Sequence, residues 1–574
     1  MAEYLSPGVY VEEFDSGAVP MQGVSTSTAG FVGLAERGPI TGKPQLVTSF
    51  ADYRRIYGGY LSEVKYGVAR FLPYAVEQFF LNGGSRAYVM RSVAAGARAS
   101  VAKTGVLKIS AANPGEWGDK IRVHISATSK AKTQVASVTG ADVVLKRADG
   151  FFAGDVVELY NGTVKAYATI KGVIDNVVTL DAPCTLDGLA DLTVGTPNYI
   201  KTSEISLSVK LDDAVENFSD VSLNPESNNF IGARTAKSDL IRVALLDSSA
   251  AASVVASADS IAPIALAGST DAGSVIALEG GSEGNVASVT PDVYLGKDKG
   301  PGKRTGLQAF LENGDVSIMA VPGVVLPEVQ AALVAFCENK KSAFAVLDVP
   351  IEKKNTGDIL EFRDMYDSTY AAIYHPWFEM YDALSKRNAY FPPSGSITGI
   401  YARTDTERGV HKAPANEIVR GCTGLSSNYN EGEQDVLNPA GVNLVRSFTG
   451  RGIRVWGART ISSNGLWKYV NVRRLFIFVE ESIKANTNWV VFEPNSESLW
   501  SRVKRTVEMF LATCWRDGAL AGTTPSEAFY VECGRTTMTQ DDIDNGRLIC
   551  QIGIAPVKPA EFVIFRITQH TASE

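Results

Sequence analysis

The sequence predicts a mixed α/β (α+β) protein of several domains, and three observations support this. Strand and helix patterns alternate near the N-terminus and again after residue 315, as in parallel sheets flanked by helices. Between about residues 97 and 245 the apolar period becomes two, and short strands lie between turn residues. The length of 574 residues is enough for about four domains of ordinary size.

The chain opens with an isolated strand pattern. Its residues alternate as a half-buried strand does: Val9, Tyr10, Val11, Glu12 and Glu13. The stretch that follows is rich in Gly, Pro, Ser and Thr and predicts a loop. The strand therefore has no evident partner nearby in the sequence.

Two α/β units are predicted on either side of the β-rich part. Residues 66–84 have a helical spacing of apolar residues interrupted by Pro73, and a strand is predicted over 86–93. Later along the chain, a strand over 315–323, a helix over 326–340 and a strand over 342–350 follow one another. This order predicts a right-handed βαβ unit and a parallel sheet. Between the two units, the Ala-, Ser- and Gly-rich residues 247–275 predict a flexible surface connection.

The clearest helix pattern covers residues 496–518. Apolar residues share one face, and Arg502, Arg505 and Arg516 share the other. This basic face is either a solvated surface or a docking face for an acidic partner. The sequence leaves both alternatives open.

The chain closes with a second isolated strand pattern after a Pro-punctuated linker. Its residues are Phe562, Val563, Ile564, Phe565, Arg566, Ile567 and Thr568. Each end strand can fold back onto its own chain or add to the sheet edge of another chain. The linkers are long enough for the second arrangement.

Composition excludes several classes of protein. Hydrophobic residues make up 45% and charged residues 21%, which is typical of a globular protein. The net charge of −8 argues against general nucleic-acid binding, which requires a basic face. No signal-peptide pattern and no run of about 20 apolar residues is present. We therefore expect synthesis in the cytoplasm and no direct membrane insertion.

No motif predicts catalysis, a metal site or a cofactor. The six Cys and four His lack metal-ligand spacing, and the cysteines are expected to be free thiols. GGSEG at 280–284 matches the nucleophile elbow of serine hydrolases, with Ser282 as the nucleophile. Because β-branched residues and Pro291 follow, no helix is predicted after it, and a Gly-rich turn is favoured. A serine hydrolase using Ser282 remains the alternative from the enzyme class.

Several long motifs resemble the sheath protein of contractile phage tails and phage-tail-like contractile injection systems. They are YLSPGVYVEE (4–13), ANPGEWGDKIRV (112–123), LEGGSEG (278–284), GLQAFLENGDVSIMAVPG (306–323), CENKKSAFAVLDVP (337–350), the segments 390–417 and 436–461, WKYVNVRRLFIFVEESI (467–483), WVVFEPN (489–495) and 542–569. The resemblance covers both ends and most of the chain. Residues of about 131–200 carry no family motif and are predicted to be a β-rich outer insertion.

The resemblance implies a domain organisation in five parts. These are an N-terminal arm with an augmenting strand (1–24), the first part of the sheath core (25–96), a middle and outer domain with the insertion (97–350), the rest of the core with the C-terminal domain (351–552), and a C-terminal linker with an augmenting strand (553–574).

The resemblance also implies a structural function without enzymatic activity. Sheath subunits stack as hexameric rings in a helical polymer around an inner tube, and contraction drives the tube through a target envelope. The implied partners are other copies of the chain, the inner tube protein, and baseplate and terminator or cap proteins of a virion tail or tail-like particle. A static shell or tube protein is the alternative within the structural class.

The same resemblance assigns roles to the candidate site residues. Both end strands are expected to add to the sheets of neighbouring subunits. The helix 496–518 is expected to face acidic residues of the tube through Arg502, Arg505 and Arg516.

Overall fold

A computed structural model describes residues 21–104, 107–161, 164–183, 197–246 and 275–566. The predicted strand at 9–13 lies outside the described residues, as do Ile567 and Thr568 of the predicted C-terminal strand. All but the last residue of the predicted connection 247–275 also lies outside them.

The N-terminal segment supplies strands and helices in alternation. They are β1 (Ala29–Leu34), β2 (Gln45–Val47), α1 (Phe50–Tyr57), α2 (Glu63–Tyr66), α3 (Leu72–Leu81) and β3 (Ala87–Ser92). The side chain of Ser49 accepts a hydrogen bond from the Asp52 amide and so caps α1. Pro73 lies in the first turn of α3, where its missing amide costs no helical hydrogen bond. Within the predicted range 66–84, α3 therefore begins at Leu72, next to this proline, instead of being interrupted by it.

The middle of the chain is rich in strands. They are β4 (Val101–Thr104), β5 (Leu107–Ala111), β6 (Arg122–Thr128), β7 (Lys132–Thr139), β8 (Asp142–Leu145), β9 (Val156–Asn161), β10 (Val164–Ile174), β11 (Val177–Leu180), β12 (Tyr199–Thr202), β13 (Glu204–Leu211), β14 (Ala214–Val221), then helix α4 (Ile231–Thr235), β15 (Ile241–Leu245) and β16 (Ile276–Ala277).

The C-terminal half returns to a mixture of helices and strands. They are α5 (Pro291–Leu295), β17 (Ile318–Ala320), α6 (Pro327–Lys340), β18 (Phe344–Asp348), α7 (Thr356–Arg363), β19 (Ala371–His375), β20 (Phe378–Asp382), β21 (Arg387–Phe391), α8 (Ser394–Arg408), β22 (Gly424–Leu425), α9 (Glu431–Leu437), β23 (Val442–Phe448), β24 (Gly452–Val455), α10 (Val470–Asn486), α11 (Glu497–Arg516), α12 (Pro525–Ala528), β25 (Phe529–Cys533), α13 (Gln540–Asp544) and β26 (Cys550–Ile554). Short 3-10 helices lie at Gly67–Ala69, Glu116–Lys120, Gly306–Glu312, Gly465–Trp467 and Asn488–Val490.

The centre of the described chain is an eight-stranded sheet in the order β2-β3-β1-β17-β18-β19-β23-β24. The inner six strands run parallel, and β2 and β24 are antiparallel strands at the two edges. Helices α6 and α7 cover one face, and α3 and α8 cover the other. Every residue of β18 and β19 is buried, as expected for strands covered on both faces. This confirms the predicted mixed α/β fold class.

Glycines allow α8 to pack directly against α3. A Cβ atom at Gly395 would lie 2.5 Å from the Cα of Ala75, and one at Gly399 would lie 2.5 Å from the carbonyl oxygen of Phe79. A side chain at either position would therefore push the two helices apart. This contact fixes α8 over the central strands.

Two strands of the central sheet come from the segment predicted as the middle and outer domain, residues 97–350. Ile318 of β17 lies opposite Ala29 of β1 and Phe344 of β18, so β17 joins the N-terminal strands to the C-terminal ones. Strands β17 and β18 therefore lie in the central sheet, whereas the resemblance implies a middle and outer domain over 97–350. The apolar pattern of a buried parallel strand does not indicate which sheet the strand joins.

The β-rich part contains a barrel and two smaller sheets. In the described residues the barrel has the strand order β10-β11-β8-β7-β12-β9 and spans residues 132–202, close to the predicted insertion at about 131–200. The chain enters and leaves the barrel at neighbouring positions, because β6 before the barrel pairs with β13 after it, with Thr128 opposite Glu204. There the ammonium of Lys130 lies 2.7 Å from the Asp155 carboxylate and 3.4 Å from that of Glu204. The remaining strands form the sheets β14-β13-β6-β16 and β15-β5-β4.

Candidate functional site at the two arm roots

The last regular element of the described residues is a hairpin of β25 and β26. Phe529 lies opposite Ile554, and Cys533 lies opposite Cys550. The inner face packs on α11, with Val531 in one apolar cluster with the buried side of that helix. Neither β25 nor β26 pairs with a further strand of the described chain, although residues 519–521 bond to the backbone just beyond β26, at 555–557. A sheet edge of this kind presents backbone donors and acceptors to an additional strand.

The segment 555–561, here called the C-terminal root, connects this hairpin to the end of the chain and is fixed by Glu561. The Nε and Nη2 atoms of Arg459 donate to the two carboxylate oxygens of Glu561, each at 2.7 Å. Asn438 Nδ2 donates to the same carboxylate at 2.8 Å, and the Tyr469 hydroxyl donates at 2.9 Å. Lys468 Nζ lies 3.7 Å away. A two-pronged arginine contact of this kind fixes both position and orientation.

The charge of this carboxylate is strongly favoured. Burial alone would raise the pKa of Glu561, but the hydrogen bonds from Arg459, Asn438 and Tyr469 outweigh it and lower the pKa to about 2. The side chain of Arg459 is 6% exposed and that of Glu561 19% exposed. The pair is thus largely shielded from solvent, and removing either partner would leave a poorly solvated charge.

Directly beyond this anchor the chain becomes apolar and exposed. The exposed fractions are 72% for Phe562, 68% for Val563, 79% for Ile564 and 84% for Phe565. We call residues 562–566 the C-terminal arm; within the described chain it forms no strand. The predicted pairing of these residues with another subunit stays a prediction. Four consecutive large apolar side chains in water nevertheless mark a surface that a partner would cover.

The N-terminal root, residues 21–28, is fixed in a similar way. Arg474 and Asp405 form a buried pair, with Nη1 to Oδ1 at 2.9 Å and Nη2 to Oδ2 at 2.6 Å. Nη2 of Arg474 also donates to the carbonyl of Thr26 at 2.8 Å, and the Thr26 hydroxyl donates to Asp405 at 2.6 Å. The Val24 amide donates to the Ser482 hydroxyl at 3.1 Å. A bidentate arginine–carboxylate pair therefore holds each root in place.

The arginine face predicted on the 496–518 helix lies on α11. Arg502, Arg505 and Arg516 are all exposed, opposite a buried apolar face. Arg502 has local partners: its Nη2 lies 3.5 Å from the Glu493 carboxylate, and its guanidinium lies 4.4 Å from the centre of the Trp489 ring. The three side chains thus share one solvent-facing surface. What that surface contacts stays a prediction.

Ser282 does not lie in a nucleophile elbow. Its backbone exchanges two hydrogen bonds of 2.9 Å with Arg98, and its hydroxyl accepts from the Gly284 amide at 3.1 Å. The prediction that no helix follows GGSEG is wrong in one detail, because α5 begins at Pro291, where a first-turn proline is tolerated. That helix starts nine residues after Ser282, whereas an elbow requires the helix to start at the serine.

The neighbouring Glu283 has a structural role. Its side chain is buried, accepts from the Glu116 amide at 3.1 Å and lies 3.5 Å from the guanidinium of Arg91. Arg91 also donates to the backbone carbonyls of Ala35, Glu36 and Gly38. GGSEG therefore connects the β-rich part to the edge of the central sheet.

The described residues contain no group of three or more His, Cys, Asp or Glu side chains that could hold a metal ion. None of their helices is long and apolar enough to cross a membrane.

Sequence reasoning missed the residues that fix both roots. Glu561 and Arg459 are 102 positions apart, and Asp405 and Arg474 are 69 positions apart, so no local spacing links them. The one available signal is a single acidic residue between two prolines and an apolar run, PVKPAEFVIF at 556–565. A charge placed there suggests an attachment point, but not its partner.

Comparison with known proteins identifies the C-terminal half. Residues 296–461 match the central domain of phage tail sheath proteins, and residues 462–570 match the phage tail sheath C-terminal domain. A prophage protein of Pseudomonas aeruginosa, named as a major tail sheath protein, is 25% identical over 50% of this chain and 75% of its own length. The tail sheath protein of Escherichia phage P2 is 27% identical over 41% of this chain and 63% of its own length.

The fold extends the likeness to almost the whole chain. The helical sheath of the anti-feeding prophage, determined by cryo-electron microscopy in its contracted state, superposes with a TM-score of 0.52 at 22% identity. The match covers 98% of this chain and 99% of that one. Residues 296–570 are thus similar to the central and C-terminal domains of phage tail sheath proteins.

Proposed function

We propose that the chain is the contractile sheath subunit of a phage tail or tail-like particle, joined to its neighbours by its two arms. The observation that carries this proposal is the exposed apolar run Phe562–Phe565, which begins directly after the anchored Glu561. Fully burying a Phe, Val or Ile side chain contributes about 1.5–3 kcal/mol. Covering this run with a neighbouring subunit therefore gives a strong driving force for polymerisation.

The acceptor in the neighbour is a sheet edge. The β25–β26 hairpin has two edges that no other described strand covers, so it can accept an arm strand on either side. Backbone ladders depend little on side chains, and they persist while subunits rotate as rigid bodies. Pro556 and Pro559 restrict the C-terminal root, and the Glu561 anchor fixes where the arm leaves the body.

During contraction, the subunits then rotate and change the surfaces through which they pack, while the strand pairing between them persists. Packed interfaces switch between discrete arrangements, and no nucleotide needs to be hydrolysed for such a rigid-body change. The extended polymer is metastable in this account, and shortening drives the tube through a target envelope.

The inner tube is the proposed partner of α11. Arg502, Arg505 and Arg516 form a solvent-facing basic surface that an acidic tube surface would complement. Complementary charge positions the sheath on the tube and is weakened by salt, so the contact can break during contraction.

The remaining features of the proposal come from the family. Subunits stack as hexameric rings or an equivalent helix, and baseplate and terminator or cap proteins bind at the ends. Assembly takes place in the bacterial cytoplasm. No cofactor, nucleic acid or catalytic residue has a role.

Electron microscopy of the purified full chain tests the proposal against a static shell or tube protein. We expect striated tubes in two lengths, the shorter also being wider. Tubes of one fixed length and width under all conditions would favour the static alternative. Hydrolysis of a model ester that Ser282→Ala abolishes would instead favour the enzyme.

A further inference from the structure

Two cysteines face each other in the hairpin that ends the described fold. Cys533 of β25 lies directly opposite Cys550 of β26 in the antiparallel ladder, and each thiol influences the pKa of the other. Both are free and half-buried. Directly opposed residues of an antiparallel pair have Cα atoms about 4.5–5.5 Å apart, which lies within the disulfide range of about 4.4–6.8 Å.

We propose that Cys533 and Cys550 form an oxidisable pair that closes to a cross-strand disulfide when it meets a low-molecular-weight disulfide. The thiolate of one cysteine attacks a sulfur of the small disulfide R–S–S–R, the S–S bond breaks and one R–S⁻ leaves and takes up a proton. The second thiolate attacks the mixed disulfide at the protein sulfur and displaces the other R–S⁻, which also takes up a proton. The protein loses two protons and two electrons, and the small disulfide is reduced to two thiols.

The position of the pair determines what the bond would change. The disulfide would close a loop of residues 534–549, which contains α13, at the base of the hairpin. Cys533 and Cys550 lie on the inner face with Val531 and pack against α11, so the outer edges stay available. This consequence rests on the proposed function, in which the hairpin accepts the arms of neighbouring subunits. Oxidation outside the reducing cytoplasm would then hold the two hairpin strands together and leave their edges open to the arms.

The surroundings predict a slow reaction at neutral pH. Burial raises the pKa of Cys533, and burial together with the neighbouring Cys533 raises that of Cys550 to about 12. Because only the thiolate attacks, the rate should rise about tenfold per pH unit below these values. Cys422 is arranged differently, because its thiol donates to the carbonyl of Gly424 at 3.0 Å.

The test uses the folded full chain with oxidised glutathione at pH 7 and pH 8. Remaining thiols are alkylated, and the protein is digested with trypsin without reduction. Cleavage after Arg516, Arg535, Arg547 and Arg566 separates Cys533 (peptide 517–535) from Cys550 (peptide 548–566). The proposal predicts these two peptides linked as the main oxidised product, forming about ten times faster at pH 8.

Matched variants decide between this pair and accidental pairing. Cys533→Ser and Cys550→Ser should each stop at a mixed disulfide with glutathione on the remaining cysteine. In chain unfolded by guanidinium the preference for this pair should disappear. Two results would overturn the proposal: both peptides recovered alkylated after prolonged oxidation of the folded chain, or Cys533 or Cys550 linked mainly to another cysteine such as Cys514.

Discussion

The Arg459 guanidinium holds both carboxylate oxygens of Glu561 at 2.7 Å, across 102 residues of sequence. This contact joins the edge region of the central sheet to the C-terminal root, one residue before the exposed apolar arm begins. A load applied to the arm would therefore pass to the rigid core through a charged pair and not through a flexible linker.

Replacing Glu561 by Gln should release the C-terminal root without unfolding the core. The change leaves Arg459 largely buried without its carboxylate, and breaking a buried pair costs up to about 3–5 kcal/mol. We expect at least tenfold faster hydrogen exchange at the Val557 amide, which donates to the Ala519 carbonyl. Glu493→Gln is the control, because its partner Arg502 is exposed and such pairs contribute about 0–1 kcal/mol. Unchanged exchange in Glu561→Gln would contradict the anchor.

The anchor should also have a defined pH dependence. The folded pKa of Glu561, about 2, lies below the ordinary glutamate value of about 4.3. A depressed carboxylate pKa contributes stability that is fully present above about pH 4.3 and is lost as the pH falls through about 2. The difference in unfolding free energy between wild type and Glu561→Gln, measured in urea, should stay constant from pH 7 to about 4.3 and then shrink. If the difference in unfolding free energy already disappeared between pH 7 and 5, a group other than Glu561 would be responsible for the pH dependence.

The sequence was sufficient for several regular elements but not for the contacts that join them. Buried strands such as β18 and the amphipathic α11 follow from local periodicity, and both were predicted close to their observed bounds. The Arg459–Glu561 and Arg474–Asp405 pairs are determined by tertiary packing between distant segments, which no spacing rule encodes. The position of β17 in the central sheet was missed for the same reason, since its partners lie far away in sequence.

Reversing charge on the arginine face should weaken assembly on the tube. The double change Arg502→Glu with Arg505→Glu places two negative charges where we propose an acidic partner, so repulsion replaces attraction. We expect at least tenfold fewer sheathed tubes by electron microscopy, with a melting temperature close to that of the wild type, because exposed changes usually shift stability by at most about 0.5 kcal/mol.

Lys484→Glu with Lys504→Glu is the matched control for charge. Both lysines are exposed or half-exposed, both pair with a nearby glutamate, and neither lies on the arginine face. This control should sheath tubes normally. Wild-type yield from the arginine double variant would remove α11 from the tube contact.

Deleting residues 1–18 should leave a folded monomer that does not polymerise. The N-terminal root remains in this variant, so Thr26 still reaches the Arg474–Asp405 pair and the core keeps its contacts. Circular dichroism and size-exclusion chromatography should report a folded single subunit at concentrations where the wild type polymerises. Sheaths of normal length from this deletion would refute the role of the N-terminal arm.

The central claim is that the residues after Glu561 connect one subunit to another. The most direct measurement is electron microscopy of a chain that ends at Glu561, which keeps the anchor and removes the exposed apolar arm. We expect a monomer that melts like the wild type and forms no striated tubes. Tubes of wild-type length and yield from this truncated chain would contradict it.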